Sequence, residues 1–215
     1  MNYRSLDMRL EEIVQFLTLQ QQCATIEGWL HPLEGYFLHL LAAEGPGVGE
    51  IVEIGSYLGR STAFLASGSK NAKREKVHAV DHFRGSPENQ AGQKSESKVL
   101  KEEGTTFHQF QSNLQRLGLT DYAMPVVASS EEAVRGWSKP IRLLFIDGEH
   151  SYEASSRDFE LWSPFVVLGG MICFHDIGPW PGVTRFYQEL MQSTKQFKEQ
   201  LTVQSIRAIQ RQANG

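Results

Sequence analysis

The chain reads as one doubly wound α/β domain, a mostly parallel sheet with helices on both faces. Three observations predict it. From residue 46 onward, β-branched apolar runs alternate with stretches of helical spacing. The strand-like runs end on polar clusters such as Asp81-His82 and Asp147-Gly148-Glu149-His150, the edge where open parallel sheets bind ligands. A length of 215 residues, 40% hydrophobic and 21% charged, suits a single core, and no repeat or composition shift marks a boundary.

Residues 1–45 are expected to form a helical extension of the same domain, placed as a lid. Leu6, Leu10, Ile13, Val14 and Leu17 recur at helix spacing, then Leu33, Phe37, Leu38, Leu40 and Leu41 do so. Gly45-Pro46-Gly47 breaks the chain, and residues 46–215 follow as the sheet domain. Glu50 to Ile54 is a strand ending at Gly55, Arg60 to Ser67 a helix, and Lys76 to Val80 a strand ending at Asp81. Arg84 to Lys98 is polar and nearly free of large apolar residues, the mark of a functional or disordered loop. A helix over Glu102 to Leu117 and a strand over Ala123 to Ala128 come next. Arg142 to Ile146 is the most β-like run and stops at Asp147. Helix Tyr152 to Phe165, the pair Gly169-Gly170, strand Met171 to Phe174, helix Gly182 to Gln192 and closing strands at Leu201 to Val203 and Ile206 to Ile209 complete the chain.

Bulk properties narrow the function. A net charge of −4 without a Lys/Arg block argues against nucleic acid as a partner. No apolar run approaches the ~20 residues of a membrane span, and the N-terminus lacks the form of a secretory signal. Cys23 and Cys173 are too few for a disulfide framework and are expected to be reduced and buried, in a cytoplasmic setting. The amphipathic N-terminal helix offers a surface to a second copy of the chain.

The first turn discriminates between ligands. A dinucleotide site requires G-x-G-x-x-G, but the middle position is Tyr57, and no Gly-Lys-Ser/Thr follows to make a P-loop. The E-x-G-x-x-x-G pattern of Glu53, Gly55 and Gly59 suits a ligand without a pyrophosphate. Asp81, closing the second strand, has the geometry to accept both hydroxyls of a ribose.

Three segments carry a specific likeness: Glu53-Ile54-Gly55-Ser56-Tyr57-Leu58-Gly59-Arg60-Ser61-Thr62, Phe145-Ile146-Asp147-Gly148-Glu149-His150-Ser151-Tyr152, and Gly169-Gly170 through Phe174-His175-Asp176. They resemble class I S-adenosylmethionine (SAM)-dependent methyltransferases. More narrowly, they are similar to the family that includes macrocin-type sugar O-methyltransferases and cephalosporin hydroxylase-like proteins. The likeness implies a Rossmann-like, seven-stranded sheet. It also implies SAM on the turn of Gly55, Ser56, Tyr57, Gly59 and Ser61, with Glu53 near the methionine amino group. Asp81 with His82 is then expected at the ribose, Ser130 beside the adenine, and Asp147 between cofactor and acceptor. Relatives commonly carry an acid just before that serine, where this chain has Ser129.

An alcohol is a poor nucleophile at neutral pH and needs a base or a cation. Asp147, His175 and Asp176 at two neighbouring strand ends are the candidate ligands of a divalent ion such as magnesium. Metal-dependent relatives often have an acid where this chain has His175, which leaves a borderline metal, or none, open. His150 matches the histidine proposed as general base in the sugar-methylating branch, and with Asp147 forms the catalytic pair. The implied activity is metal-assisted O-methylation of a small-molecule hydroxyl, on a sugar or secondary metabolite. A metal-dependent hydrolase or hydroxylase using the same cluster, or a non-catalytic SAM-binding protein, remain the alternatives. His31, His39, His78 and His108 are read as structural, Trp29, Trp137 and Trp162 as packing, and Trp180 as a wall of the acceptor pocket.

Overall fold

The computed structural model describes residues 3–93 and 95–213, with side chains from Leu10 onward; Leu6 and Lys94 therefore lie outside the described side chains. The strands are β1 (Glu50–Ile54), β2 (Val77–Asp81), β3 (Ala123–Val127), β4 (Ile141–Ile146), β5 (Val166–Phe174), β6 (Phe197–Val203) and β7 (Ile206–Arg211). They form one seven-stranded sheet in the order β3-β2-β1-β4-β5-β7-β6. The first five run parallel, and β7 pairs antiparallel with both β5 and β6. The order reverses between β1 and β4, which opens a crevice at their carboxyl ends.

Eight α-helices are described: α1 (Tyr3–Cys23), α2 (Pro32–Glu44), α3 (Arg60–Ala72), α4 (Lys98–Glu103), α5 (Phe107–Arg116), α6 (Ser130–Arg135), α7 (Tyr152–Trp162) and α8 (Pro181–Ser193). They divide the core in two because strand side chains alternate between faces. Ile51, Leu143, Phe145, Met171 and Cys173 pack with Leu38, Phe64 and Phe110 of α2, α3 and α5. Val52, Leu144, Ile146, Ile172 and Phe174 pack with Trp162 and Phe186 of α7 and α8. Both cysteines are free and buried. Among the described residues no helix is long and apolar enough to cross a membrane.

Several boundaries differ from the sequence expectation. The stretch expected as one helix from Glu102 is split into α4 and α5, because Gly104 turns left-handed at φ 70° and ends α4. Short α6, with Ser129 and Glu132 in a capping box, was not foreseen. Strand β5 begins at Val166, ahead of Gly169-Gly170, and β6 begins at Phe197 although Lys198 to Gln200 are polar and exposed. On α1, Leu19 and Cys23 face the core while Leu10, Ile13, Val14 and Leu17 remain exposed.

Helices α2 and α3 cross at very close range. A Cβ on Gly68 would stand 2.1 Å from the His39 carbonyl oxygen, and one on Gly35 would stand 2.5 Å from the Phe64 ring. Arg142 of β4, almost wholly buried, pairs with Glu75 and donates to the Leu41 carbonyl, fixing the end of α2 to the sheet. Gly68→Ala should gain about 1 kcal/mol in helix propensity. It should lose more than that, about 1–3 kcal/mol, by forcing the two backbones apart. A net fall in stability in chemical denaturation is the expected outcome.

Candidate active site

The polar strand ends meet in one cavity of about 510 Å³ at the carboxyl edge of the sheet. Gly55, Ser56, Tyr57, Ser61, Asp81, His82, Ser130, Asp147, His150, His175 and Asp176 all line it. Glu53 and Gly59, both expected at the cofactor, lie behind the wall rather than in it.

The turn after β1 owes its shape to the neighbouring strand. Gly55 sits at φ 87°, and a Cβ there would stand 2.2 Å from the Asp147 carbonyl oxygen, so no other residue fits. Tyr57 is left-handed as well, at φ 46°, a conformation that needs outside support in a residue with a side chain. Asp81 supplies the support. Its Oδ2 accepts the backbone N–H of Ser56 (2.9 Å) and of Tyr57 (2.8 Å), and its Oδ1 accepts that of Phe83 (2.6 Å). Asp81, expected at the ribose, thus also braces the loop while it lines the cavity.

Glu53 is buried beneath the turn, where Oε2 accepts the Ser56 hydroxyl (2.8 Å) and the Thr62 hydroxyl. Burial pushes its carboxyl up to about 7 against the pull of the Ser61, Thr62 and Ser56 hydroxyls. Through Oε2 it braces the glycine turn, while the buried Oε1 has no hydrogen-bond partner among the described residues. Gly59, at φ 87°, caps α3 without a side chain, and Phe110 packs over it.

At the other end of the cavity Ser130 stands at the start of α6 and accepts from the Trp162 indole N–H (2.9 Å). His82 is about half exposed, with Nδ1 accepting from the Arg84 N–H. The Tyr57 hydroxyl crosses the mouth, bonded to Ser97 of the 84–98 loop (2.7 Å) and to Glu27 ahead of α2 (3.2 Å). The residues linking α1 to α2, Glu27 to Leu30, line the cavity.

The acidic end contains two histidines and four carboxylates. His175 places Nδ1 2.9 Å from Asp147 Oδ1 and 3.5 Å from Asp176 Oδ2, while Nε2 lies 3.1 Å from Glu34 Oε2. Burial disfavours its charge, but the acids around it hold its pKa well above the ordinary histidine range. Glu34 of α2 is 2% exposed and saturated: it also accepts the His31 N–H at 2.8 Å and, through Oε1, the Ser205 N–H and hydroxyl. Burial pushes the Glu34 carboxyl up, yet His175, Ser205 and the His31 amide together hold it at about 2.

His150 is arranged in the same way. Nδ1 lies 2.6 Å from Glu88 Oε1, and Nε2 is 3.0 Å from Asp176 Oδ2 and 4.0 Å from Asp147 Oδ1. The Nε2 contact is off the line of a hydrogen bond, so that buried nitrogen has no hydrogen-bond partner among the described residues. Burial works against its protonation, but the Asp176 and Glu88 carboxylates raise it to about 9. Trp180 stacks on the ring with centroids 4.5 Å apart. Asp176 occupies the left-handed region at φ 60°, tolerable for an aspartate and held there by a bond from its N–H to Ser205 Oγ.

His78, read as structural, contacts Glu50 at 2.9 Å, and His31 caps α2. Sequence reasoning missed Glu34 and Glu88. Glu34 reads locally as the third residue of a capping box, and Glu88 as one acid in a polar loop; their histidine partners are 141 and 62 positions away.

A family model described as "Methyltransferase domain" matches residues 52–177, more than half of the chain. The chain belongs to the methyltransferase-domain family. Its fold is that of class I SAM-dependent methyltransferases. Uncharacterized protein R132 of Acanthamoeba polyphaga mimivirus is 30% identical over 125 residues, 58% of this chain and 50% of that one. The chain thus spans about half the length of that curated relative. Among solved structures, the O-methyltransferase NovP superposes with a TM-score of 0.63 at 14% identity, over 93% of this chain and 80% of its own. An O-methyltransferase from Bacillus cereus in complex with SAH gives 0.61 at 20% identity, over 92% and 89%.

In this methyltransferase domain the buried Glu53 makes stability depend on pH. A carboxyl raised to about 7 when folded keeps its proton longer than the unfolded chain does. Its contribution is complete below pH 4.5 and lost as pH rises through 7. Denaturation midpoints should fall by the equivalent of about 1–3 kcal/mol across that window. Glu53→Gln should flatten the profile.

Proposed function

We propose that this chain is a SAM-dependent O-methyltransferase that acts on a hydroxyl of a small molecule, a sugar or secondary metabolite, with a divalent ion at Asp147, His175 and Asp176. The observation that carries the reading is His150. Its outer nitrogen is tied to Glu88, while its inner nitrogen is buried beside Asp176, on a residue that lines the same cavity as the glycine turn.

The cavity suits SAM in shape and chemistry. Gly55 lets the turn pack against the Asp147 backbone, α3 starts without a side-chain cap and so leaves its first amides for an anion, and Asp81 lines the cavity, where its carboxylate would accept a sugar hydroxyl. Ser130 lies at the end fitted to the base. When bound, SAM supplies a methyl group already activated by its sulfonium. The protein's remaining tasks are alignment and removal of one proton. Glu88 fixes the His150 ring through Nδ1; with the ring raised to about 9, the neutral form that presents an Nε2 lone pair to the acceptor grows as pH rises towards that value. The hydroxyl proton passes to Nε2, and the resulting imidazolium is stabilised by Glu88 on one side and Asp176 on the other. Trp180 closes one wall by stacking on the ring and keeps water from it.

The three ligand candidates fit a divalent ion. Asp147, His175 and Asp176 each offer one donor atom, all within 4.8 Å of one another. A bound ion lowers the pKa of an oxygen that it contacts.

Calorimetry with S-adenosylhomocysteine, the demethylated product, tests the first step. Binding is expected, with at least a tenfold loss in Asp81→Ala; absence of heat with folded protein overturns the reading. Against a panel of sugar and phenol acceptors, His150→Gln should lower methyl transfer by about 10²–10⁴ with cofactor affinity intact. Glu88→Gln should lower kcat about tenfold and leave KM for the cofactor unchanged, as loss of ring orientation predicts.

A further inference from the structure

The residues around His175 carry more information than the presence of an ion; they specify its class. His175 is 3% exposed, and its ring is held at both ends. Nε2 faces Glu34, whose carboxylate also accepts the His31 amide and both donors of Ser205. Every lone pair of that carboxylate is engaged, and a carboxylate so fixed is an obligatory acceptor. Nε2 must therefore carry hydrogen. The ring's remaining nitrogen, Nδ1, faces Asp147 and Asp176 at 2.9 and 3.5 Å. Donor atoms about 3 Å apart are neighbouring corners around an ion with bonds of about 2.1 Å.

Glu34, His175 and the two aspartates thus have the connectivity of a carboxylate–histidine–metal triad, in which the outer acid orients the ring and makes its inner nitrogen more basic. Oxygen-seeking magnesium gains little from an imidazole and dehydrates with reluctance. Divalent manganese, iron, cobalt and zinc accept imidazole beside carboxylates readily. We infer that this site selects a first-row transition ion over magnesium, with Asp147, His175 and Asp176 as ligands and Glu34 as the residue that holds His175 in its ligating form. On binding, the ion replaces the Nδ1 proton, which leaves to solvent, and the Nε2 hydrogen stays on the ring, donated to Glu34. This inference deepens the proposed metal-assisted reaction and rests on it for its catalytic meaning, though the binding preference itself does not require SAM.

The test uses the full-length protein stripped with a chelator. Titration by Mn²⁺, Co²⁺, Zn²⁺ and Mg²⁺ is followed by calorimetry, and pulsed electron paramagnetic resonance is recorded on the Mn²⁺ form. Transition ions are expected to bind at least 100-fold more tightly than Mg²⁺, and the Mn²⁺ spectrum to show a ¹⁴N coupling from a directly bound imidazole. His175→Asp should abolish that coupling and narrow the preference over Mg²⁺ by at least tenfold. Glu34→Gln should weaken Mn²⁺ about 10–100-fold. His150→Gln should leave the coupling in place. Thermal melts of the stripped variants separate unfolding from loss of the ion, and His175→Asp serves if Glu34→Gln does not fold. Equal affinity for Mg²⁺ and Mn²⁺, no ion binding at all, or a Mn²⁺ spectrum without the nitrogen coupling overturns the inference. S-adenosylhomocysteine is titrated into the same stripped samples. If it binds while no ion does, the metal inference falls and methyl transfer stands; if ions bind and it does not, the reverse holds.

Discussion

One buried carboxylate fixes the acidic end of this molecule. Glu34 accepts from its own helix start, from the β6–β7 turn at Ser205 and from His175 at the end of β5. These groups come from three distant parts of the chain, and a charge taken out of water is stable only when it is paired and fully hydrogen-bonded. The constraint works in both directions. The N-terminal helices can dock on the sheet only in the position that satisfies Glu34, and the side chains facing Asp147 are oriented only when they have docked. The N-terminal extension therefore supplies, through Glu34, a residue of the acidic end.

The acidic end shows the same device twice. Each histidine has a glutamate from outside the sheet behind it and aspartates from the strand ends in front. The glutamates differ in what holds them. Glu34 is saturated with donors on a thirteen-residue helix, whereas Glu88 sits on a single 3₁₀ turn at Pro87–Asn89 within a long loop. One ring is accordingly fixed by a long helix of the body of the protein and the other by a short turn of the loop that follows β2.

Much of this was legible in the sequence, for identifiable reasons. β1, β2 and β4 are buried on both faces, so most of their residues are apolar and the runs stand out. The residues that end them had to be polar to meet a ligand, and eleven of the expected site residues do line the cavity. Where solvent or backbone geometry sets the structure, the pattern faded. β6 lies at the sheet edge and can be polar without cost, so its first half read as loop. Gly169 and Gly170 read as a break, yet the strand runs through them with Gly169 left-handed. Glu53 was expected at the ligand from its motif position; it lies buried beneath the turn and is not among the residues that line the cavity. Asp81 was correctly placed on the cavity, while its hold on the turn depends on backbone amides that leave no trace in side-chain pattern.

The Tyr57 hydroxyl has a consequence for traffic through the cavity. It spans the opening between Ser97 on one bank and Glu27 on the other, and its own backbone is braced by Asp81 from below. Anything too large for the gap must part these bonds to enter or leave, and each is worth only about 1 kcal/mol net of water. Passage is therefore cheap and reversible. Tyr57 belongs both to the braced turn and to the opening, so a shift at the rim is passed directly to the turn.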